Sequence, residues 1–453
     1  MPDLEAGSAY HDALRALRAR GRFGIRLGLG RTRALLHAIG DPQLEFRGAL
    51  VAGTNGKGSV LALAGSALRA AGLRVGETPK PHLASYRERL VIDGTLIDPD
   101  TFARLVGEIM PIADRVARRH GEPTEFELLT AVVFRWFADA RLDVALVEVG
   151  LGGRLDATHA WDGGVAVITN VALDHMDRLG STIELIAREK AAIIERGDLA
   201  VTGAEAPALA VIRRRAERVG VSLREVPPAP LLRVGRGGID VELPRLGPTH
   251  VALRGRHQAA NAAIADALLD ALETAGIATA DAEARRRGYA GTVWPGRLEL
   301  IDAGGRDVVL DGAHNPAGAT ALAIALDDLR SELTGGNEVV PPPLTLLVAS
   351  MADKDTDGTI RALISAKSMG GATVICTSLD VPRALEASGL AARWRAIAPD
   401  LHVEAITDPG AALDRALAVA RGPVIVAGSL YLVGDARSRL VDDPGVRDPE
   451  EPA

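Results

Sequence analysis

The stretch ALVAGTNGKGSV, residues 49–60, is an apolar run that changes into a glycine-rich turn. The turn consists of Gly53, Thr54, Asn55, Gly56, Lys57, Gly58 and Ser59. Its glycines allow a tight turn with inward-pointing N–H groups, its lysine adds a cation, and its serine begins the next helix with a hydroxyl that can bind magnesium. The stretch therefore predicts a strand, a phosphate-binding loop and a helix.

The spacing of this loop differs from the usual GxxxxGK[ST] pattern, because Gly58 separates Lys57 from Ser59. A glycine turn without a ligand is the alternative. The apolar strand before the loop and the alanine- and leucine-rich helix after it favour nucleotide binding.

Composition limits the class of protein. A chain of 453 residues exceeds one hydrophobic core, so two or three domains are expected. Hydrophobic residues at 47% and charged residues at 25% indicate a globular protein, and a net charge of −7 argues against nucleic acid as a partner. Cys376 is the single cysteine, and no signal peptide or long apolar span is evident. We expect a cytoplasmic monomer with small-molecule substrates and no membrane partner.

Strands and helices alternate along the chain, which predicts α/β architecture with a mostly parallel sheet. We expect an N-terminal nucleotide-binding domain at 1–296, a smaller Rossmann-like α/β domain at 297–440 and a disordered tail at 441–453. The proline- and glycine-rich composition of 199–253 indicates a peripheral antiparallel element within the first domain.

Polar side chains stand at the ends of two predicted parallel strands. Glu148 follows a run of valines and leucines, and His175 follows the next strand along the chain. Each has a simple alternative: Glu148 could face solvent, and His175 could be a turn residue. Because open α/β sheets gather ligands at the carboxyl ends of their strands, we favour a magnesium site.

Other candidate site residues also have simple structural interpretations. Lys190 lies on a predicted helix, where a solvated lysine is the usual interpretation. The turn that contains Asp311 and His314 could be a helix cap only. The same caution applies to Asn261 and Arg297.

Seven motifs together resemble the folylpolyglutamate synthase and dihydrofolate synthase family of the Mur ligase superfamily. They are GTNGKGS at 53–59, PHLxSYRER at 81–89, EVGLGGRLDAT at 148–158, DHMDRLGST with IAREKA at 174–191, WPGR at 294–297, DGAHNP at 311–316 and GSLYLVGD at 428–435. The motifs follow the family's order over nearly the whole chain. The resemblance implies a P-loop domain of the Mur ligase central type and a C-terminal glutamate ligase domain.

The resemblance also implies an activity. In the family, ATP phosphorylates a carboxylate, and the amino group of L-glutamate attacks the acyl phosphate. The cofactors implied are ATP and Mg²⁺, with Ser59, Glu148 and His175 at the metal and a carbamate on Lys190. Lys57 is implied as a catalytic cation.

Further residues are matched to binding roles by the resemblance. The implied nucleotide contacts outside the loop are Asn261, Arg297, Asp311 and His314. The implied substrate contacts are Gly28, Leu29, Gly30, His82, Phe126, Gly152, Gly153, Arg154, Leu155 and Asp156.

Three positions depart from the family pattern. Lys80 stands where the family has a magnesium-binding serine before ProHisLeu, so either the lysine replaces the ion's charge or another hydroxyl such as Thr78 takes over. His159 replaces an asparagine and Ala192 a glycine. We still expect an active enzyme that adds glutamate to dihydropteroate, to reduced folates or to both. The alternatives are another amino-acid ligase of the superfamily and an inactive nucleotide-binding regulator.

Overall fold

We describe the chain from a computed structural model. The described residues are 2–21, 26–333, 342–381, 383–443 and 445–449. They form two compact units: the first covers 1–227, 263–288 and 444–453, and the second covers 228–262 and 289–443. The division after residue 296 that we expected falls inside the second unit and stays a prediction.

The first unit is built on one sheet. Its strands are β1 Gly48–Ala52, β2 Val75–Thr78, β3 Val91–Ile92, β4 Thr95–Leu96, β5 Val144–Glu148, β6 Gly164–Ile168, β7 Leu199–Thr202 and β8 Leu223–Glu225. Across the described residues the order is β4-β3-β2-β5-β1-β6-β7-β8, with β3 and β4 antiparallel and the others parallel. Since β1 lies between β5 and β6, the loops after these three strands leave the same edge side by side.

Helices cover this sheet. They are α1 Pro2–Gly21, α2 Gly30–Ala38, α3 Lys57–Ala70, α4 Pro99–His120, α5 Glu125–Ala140, α6 Met176–Leu179, α7 Ile183–Ala191 and α8 Ala208–Val219, with α9 Gln258–Thr274 and α10 Ala282–Ala290 partly in this unit. Local sequence fixes the start of α5, because Thr124 and Glu127 form a reciprocal capping box. Phe134 of that helix packs against Phe46 and Trp161 in the core.

The second unit contains two sheets. Its strands are β9 Leu231–Gly235, β10 Gly238–Leu243, β11 Gly247–Val251, β12 Glu299–Asp302, β13 Asp307–Leu310, β14 Thr345–Val348, β15 Thr373–Cys376, β16 His402–Ala405 and β17 Val424–Ala427. Its later helices are α11 Pro316–Leu333, α12 Thr356–Leu363, α13 Ala387–Ile397, α14 Pro409–Val419 and α15 Leu430–Leu440. In the described residues, β9–β11 form an antiparallel sheet, and the order β12-β13-β17-β14-β15-β16 forms a second sheet that is parallel except for β12.

The structure bears on two predicted regions, the antiparallel element at 199–253 and the tail at 441–453. The antiparallel element predicted to begin at residue 199 is wrong for 199–225, because β7 and β8 are parallel strands of the large sheet. In the predicted disordered tail, Asp448 accepts hydrogen bonds from Tyr10 Oη over 2.9 Å and Ser85 Oγ over 2.5 Å.

Among the described helices, none combines the length and apolar character needed to cross a membrane.

Candidate active site

The turn between β1 and α3 requires glycine at two positions. Gly53 has a φ of +152°, and a Cβ added there would lie 1.8 Å from Thr169 Oγ1. Gly56, immediately before α3, has a φ of +82°. Only glycine adopts such angles without strain. The turn brings the first N–H groups of a 14-residue helix, which lack partners within that helix, to the edge of the sheet.

Residues after β6 hold this loop in shape. Asn55 N–H donates to Asn170 Oδ1 over 2.9 Å, and Thr54 N–H donates to the Asn170 carbonyl over 3.0 Å. Thr169 Oγ1 donates to the Asn55 carbonyl over 2.7 Å. Asn170 is not among the site residues predicted from the sequence, although its position at the end of a buried strand could have indicated a role in the site.

Lys57 turns back over the loop. Its Nζ donates to the carbonyl oxygens of Gly53 and Thr54, each over 3.2 Å, and lies 3.7 Å from Glu148 Oε1. The ammonium therefore stands at a helix N-terminus, where both charge and dipole attract an anion.

Glu148 ends β5 beside this loop. It pairs in register with Val51 of β1 and is 2% exposed, which excludes the solvent-facing alternative. Its Oε2 accepts a hydrogen bond from Lys80 N–H over 2.9 Å, and its carbonyl oxygen accepts one from Lys80 Nζ over 2.5 Å. A buried carboxylate needs such cationic and N–H partners.

Lys80 is half-buried beside Glu148. Loss of hydration lowers the pKa of Lys80 to about 8, although the negative charges of Asp156 and Glu148 act in the opposite direction. The Nζ atom also lies 5.4 Å from the centre of the Phe126 ring. The lysine that the family comparison marked as a departure is thus part of the site.

Lys190 reaches the loop from α7. It is 5% exposed, which excludes the alternative of a solvated surface lysine, and its Nζ donates to the Gly53 carbonyl over 2.8 Å. Burial, together with the charge of Lys57, lowers the pKa of Lys190 to about 7 against the influence of Asp174 and Asp156. A large share of Lys190 is therefore a neutral amine near neutral pH.

His175 follows β6 in a left-handed conformation, with a φ of +49°. Its side chain is 37% exposed, and its Nε2 lies 3.9 Å from Asp174 Oδ2. Within the described ranges, no three His, Cys, Asp or Glu side chains are grouped to hold a metal ion. The predicted magnesium set has only two such side chains, Glu148 and His175, and it stays a prediction.

A cavity lies beside Lys80 in the first unit. It is lined by Thr78, Lys80, Arg89, Phe126, Leu129, Thr130, Val133, Phe134 and Thr158. Thr78 Oγ1 is buried without a hydrogen-bond partner. Phe126 is the predicted substrate residue in this lining, whereas Thr78 and Arg89 carry no predicted substrate role. The cavity is small, and its exposed lining is almost entirely apolar.

His82 lies in the loop after β2. Arg89 Nε donates to its Nδ1 over 2.9 Å, and its ring centre is 4.5 Å from that of Tyr86. Burial, with the charges of Arg89 and Arg18, lowers the pKa of His82 to about 3. The imidazole is therefore neutral and acts as a hydrogen-bond acceptor at its Nδ1.

The loop after β5 is held by α7, by the segment at Gly28 and by an internal hydrogen bond. Arg154 Nε donates to a Glu189 carboxylate oxygen over 2.9 Å, and Asp156 accepts from Leu151 N–H over 2.8 Å. Gly28 N–H donates to the Leu155 carbonyl over 3.3 Å, which joins two predicted substrate segments. The remaining predicted substrate residues on these segments are Leu29, Gly30, Gly152 and Gly153.

The predicted nucleotide contacts outside the loop lie in the second unit. Asp311 follows β13 and accepts hydrogen bonds from the N–H groups of Leu298 and Ala313, each over 2.9 Å. A Cβ added to Gly312 would lie 2.4 Å from Arg297 Nη1, so this guanidinium packs against the same turn. Arg297 and Asp311 are therefore neighbours.

Asn261 and His314 have partners of their own in this unit. Asn261 Nδ2 donates to Gln258 Oε1 over 2.8 Å, and His314 Nδ1 lies 2.7 Å from the Gly312 carbonyl oxygen. Asp311 also acts on His257, whose pKa is lowered by burial against the influence of that carboxylate.

Comparison with known proteins identifies the family. The Mur ligase middle domain matches residues 51–269, and the Mur ligase glutamate ligase domain matches residues 296–430. The dihydrofolate synthase/folylpolyglutamate synthase of Bacillus subtilis is 33% identical over 96% of this chain and 99% of its own length. The chain belongs to the folylpolyglutamate synthase and dihydrofolate synthase family of Mur ligases. It is thereby an ATP-dependent ligase.

Solved structures of family members agree with the fold. The Mycobacterium tuberculosis folylpolyglutamate synthase complexed with ADP and AMPPCP has a TM-score of 0.84 and 34% identity, covering 95% of this chain and 100% of that one. The bifunctional synthase of Yersinia pestis complexed with AMPPNP and a manganese ion has a TM-score of 0.79 and 30% identity, covering 96% and 98%. The predicted fold class of two α/β parts is confirmed.

Proposed function

We propose that this protein forms an amide bond between L-glutamate and the carboxylate of dihydropteroate, of a reduced folate, or of both, at the expense of ATP. The observation that carries the proposal is the convergence of Lys57 and Lys190 on the Gly53 carbonyl, beside the buried carboxylate of Glu148. The name of the Bacillus subtilis relative supports the two acceptors.

The reaction has two steps. An oxygen of the acceptor carboxylate attacks the γ-phosphorus of ATP, and ADP leaves. The amino nitrogen of glutamate then attacks the carbonyl carbon of the acyl phosphate, loses a proton and displaces inorganic phosphate. Negative charge grows on the phosphoryl oxygens first and on the tetrahedral carbonyl oxygen second.

The loop and Lys57 stabilise the first of these charges. Gly53 and Gly56 allow the turn that places the first N–H groups of α3 at the phosphate, and these N–H groups donate to its oxygens. Lys57 stands over the same space and aligns the γ-phosphoryl group.

A magnesium ion fits the donors near this loop. Glu148 Oε1 is directed toward the loop, and Ser59 lies in the first turn of α3. We propose that these two oxygen donors and the imidazole of His175 hold the ion, since oxygen-rich ligands suit Mg²⁺. When bound, the ion neutralises charge on the phosphates. The manganese ion bound with AMPPNP in the Yersinia pestis relative supports a divalent ion bound with the nucleotide.

We further propose that Lys190 becomes a carbamate. Its neutral Nζ attacks carbon dioxide, a nitrogen–carbon bond forms, and one proton is released. The low pKa of Lys190 and its enclosure beside Gly53 support this step, because only the neutral amine is nucleophilic. The product would be an anionic group next to the loop.

Roles of the second unit remain proposals too. Asn261, Arg297, Asp311 and His314 are assigned to the nucleotide, and the segments around Gly28 and Gly152 to the acceptor. A monomeric state and a cytoplasmic location remain predictions from the sequence.

Side-by-side assays with the two acceptors test the function. Purified protein, ATP and glutamate are incubated with dihydropteroate or tetrahydrofolate, and products are identified by mass spectrometry. We expect a product heavier by one glutamyl group with at least one acceptor, and none from the Lys57→Met variant. Protein that binds ATP but releases no phosphate with either acceptor would contradict the proposal and favour the nucleotide-binding regulator.

A further inference from the structure

The tail that follows α15 makes hydrogen bonds within the first unit, to which residues 445–449 belong. Asp448 Oδ1 accepts from Tyr10 Oη of α1 over 2.9 Å and from Ser85 Oγ over 2.5 Å. The carbonyl oxygen of Arg447 accepts from Arg87 Nη1 over 3.2 Å. The tail therefore joins α1 to the chain segment that follows β2.

The three side chains that use the tail as a partner, Tyr10, Ser85 and Arg87, are all buried. Burial raises the pKa of Tyr10, and the charge of Asp448 acts in the same direction, so this hydroxyl keeps the proton that it donates. Arg87 Nε donates to the Ile97 carbonyl over 2.6 Å, while its Nη1 donates to the tail. Because buried polar groups need partners, these contacts distinguish the tail from a solvated chain end.

The segment 80–89 is organised internally by Glu88. The carboxylate of Glu88 accepts from the three successive N–H groups of residues 83–85, over 2.7, 2.8 and 2.8 Å. Ser85 lies in this turn and donates its hydroxyl hydrogen to Asp448. Since the turn is tied together by one carboxylate, a restraint at Ser85 acts on the whole turn.

Both ends of the same segment lie at the candidate active site. Lys80, at its start, donates to Glu148 from its main-chain N–H and from its Nζ. Arg89, at its end, donates over 2.9 Å to Nδ1 of His82, the predicted substrate residue of the segment. The phosphate-binding loop is supported separately, by Asn170.

We propose that residues 445–449 are a positioning strap, which through Asp448 holds the segment 80–89 in the shape that brings Lys80 to Glu148. Asp448 is a positioning residue, because it acts through this segment. The effect of the strap on the segment stands on the geometry alone, and its effect on turnover rests on the proposed function. Since the phosphate-binding loop has its own support, the strap affects acceptor binding more than ATP binding.

Hydrogen exchange of the full-length chain, measured by mass spectrometry, tests the strap. In Asp448→Ala, the amides of residues 83–90 should exchange about tenfold faster, because the hydroxyl donors lose their acceptor. Asp448→Asn keeps an acceptor oxygen and should restore the protection. Asp442→Ala, which removes an exposed carboxylate before the strap, is the matched control and should exchange like wild type. Tyr10→Phe removes one of the two hydrogen bonds to Asp448 and should give a smaller change in the same residues; it serves if Asp448→Ala does not fold.

Steady-state kinetics give a second readout. In Asp448→Ala, KM for the acceptor should rise about five- to tenfold, while KM for ATP should change by less than about twofold. A general loss of stability would instead reduce the active fraction of the protein and leave both KM values unchanged. The conservative Asp448→Asn should return KM for the acceptor toward the wild-type value.

The outcomes separate the strap from the proposed function. Equal exchange in wild type and Asp448→Ala would overturn the strap, and so would faster exchange throughout the first unit. Faster exchange at 83–90 with an unchanged KM for the acceptor would overturn the positioning role. Wild-type protein without turnover would contradict the proposed function, and the exchange rates would still decide on the strap.

Discussion

The parallel sheets of the two units end in turns of opposite character. In the first unit, Lys57 and Lys190 both donate to Gly53, while Lys80 binds Glu148. In the second unit, Asp311 accepts the main-chain N–H of Ala313 in its own turn and that of Leu298 just before β12. The first edge places two lysines at one buried carboxylate and a third at the Gly53 carbonyl, whereas the Asp311 carboxylate is satisfied by main-chain N–H groups.

This difference assigns separate tasks to the two edges. Crowded lysines lose hydration and repel one another, which is why the pKa values of Lys80 and Lys190 are lowered. An anion such as a phosphate relieves that repulsion. Asp311 instead fixes the backbone beside Arg297, which holds the proposed nucleotide contacts of the second unit in place.

The largest expected effect comes from Lys190→Ala. Turnover should fall by at least about 10³-fold, because both the amine and any carbamate are lost, and bicarbonate should not restore it. Arg188→Ala, an exposed position on the same helix, is the matched control and should retain activity. Steady-state assays at fixed ATP decide the matter; full activity in Lys190→Ala would refute the carbamate.

Replacing the carboxylates of Glu148 and Asp311 with amides compares the edges of the two sheets directly. Glu148→Gln should lower kcat by about 10²–10³-fold, since a charged group at the phosphate is removed while shape is kept. Asp311→Asn should instead cost about 1–3 kcal/mol of stability, because an amide nitrogen would face a main-chain N–H group. Kinetics and urea unfolding of both variants provide the comparison. An equal loss of kcat in the two variants would contradict separate tasks for the two sheet edges.

Backbone geometry is tested by Gly53→Ala. The added Cβ would meet Thr169 Oγ1 at 1.8 Å and require a φ that alanine avoids, so about 3 kcal/mol of stability should be lost. Gly107→Ala is the control: Gly107 is exposed on α4 with open space around it, and alanine there should stabilise the helix by about 0.5–1 kcal/mol. Urea unfolding measures both, and similar midpoints would contradict the tight fit of the loop.

The lowered pKa of Lys190 also makes stability depend on pH. In the folded protein the pKa of Lys190 is lowered to about 7 from an ordinary value of 10.5. Between these values the unfolded chain binds more protons, so stability rises with pH by at most about 1.4 kcal/mol per unit, and the burial penalty is fully present below pH 7. In carbon dioxide-free buffer, Lys190→Met should be less dependent on pH across this window. An unchanged slope in urea unfolding would contradict the lowered pKa.

Much of the fold follows from local sequence. Apolar strand runs predicted β1, β5 and β6. The region from 199 was misjudged because β7 and β8 are short, and their burial in the parallel sheet depends on partners distant in sequence.

The sequence predicted less of the candidate site than of the fold. Glycine and lysine spacing revealed the loop, and strand-end position pointed to Glu148. Two sets of contacts depend on which strands are neighbours: Lys80 with Glu148, and Asn170 with the loop. A single sequence does not give the strand order. The cavity beside Phe126 likewise joins segments far apart in the chain.

The central claim, that ATP activates an acceptor carboxylate for attack by glutamate, has a direct test. Dihydropteroate or tetrahydrofolate with oxygen-18 in its carboxylate is incubated with the protein, ATP and glutamate, and the released phosphate is analysed by mass spectrometry. An acyl phosphate transfers one labelled oxygen to each phosphate formed. Phosphate that carries the label is the predicted result; amide product formed alongside unlabelled phosphate would contradict it.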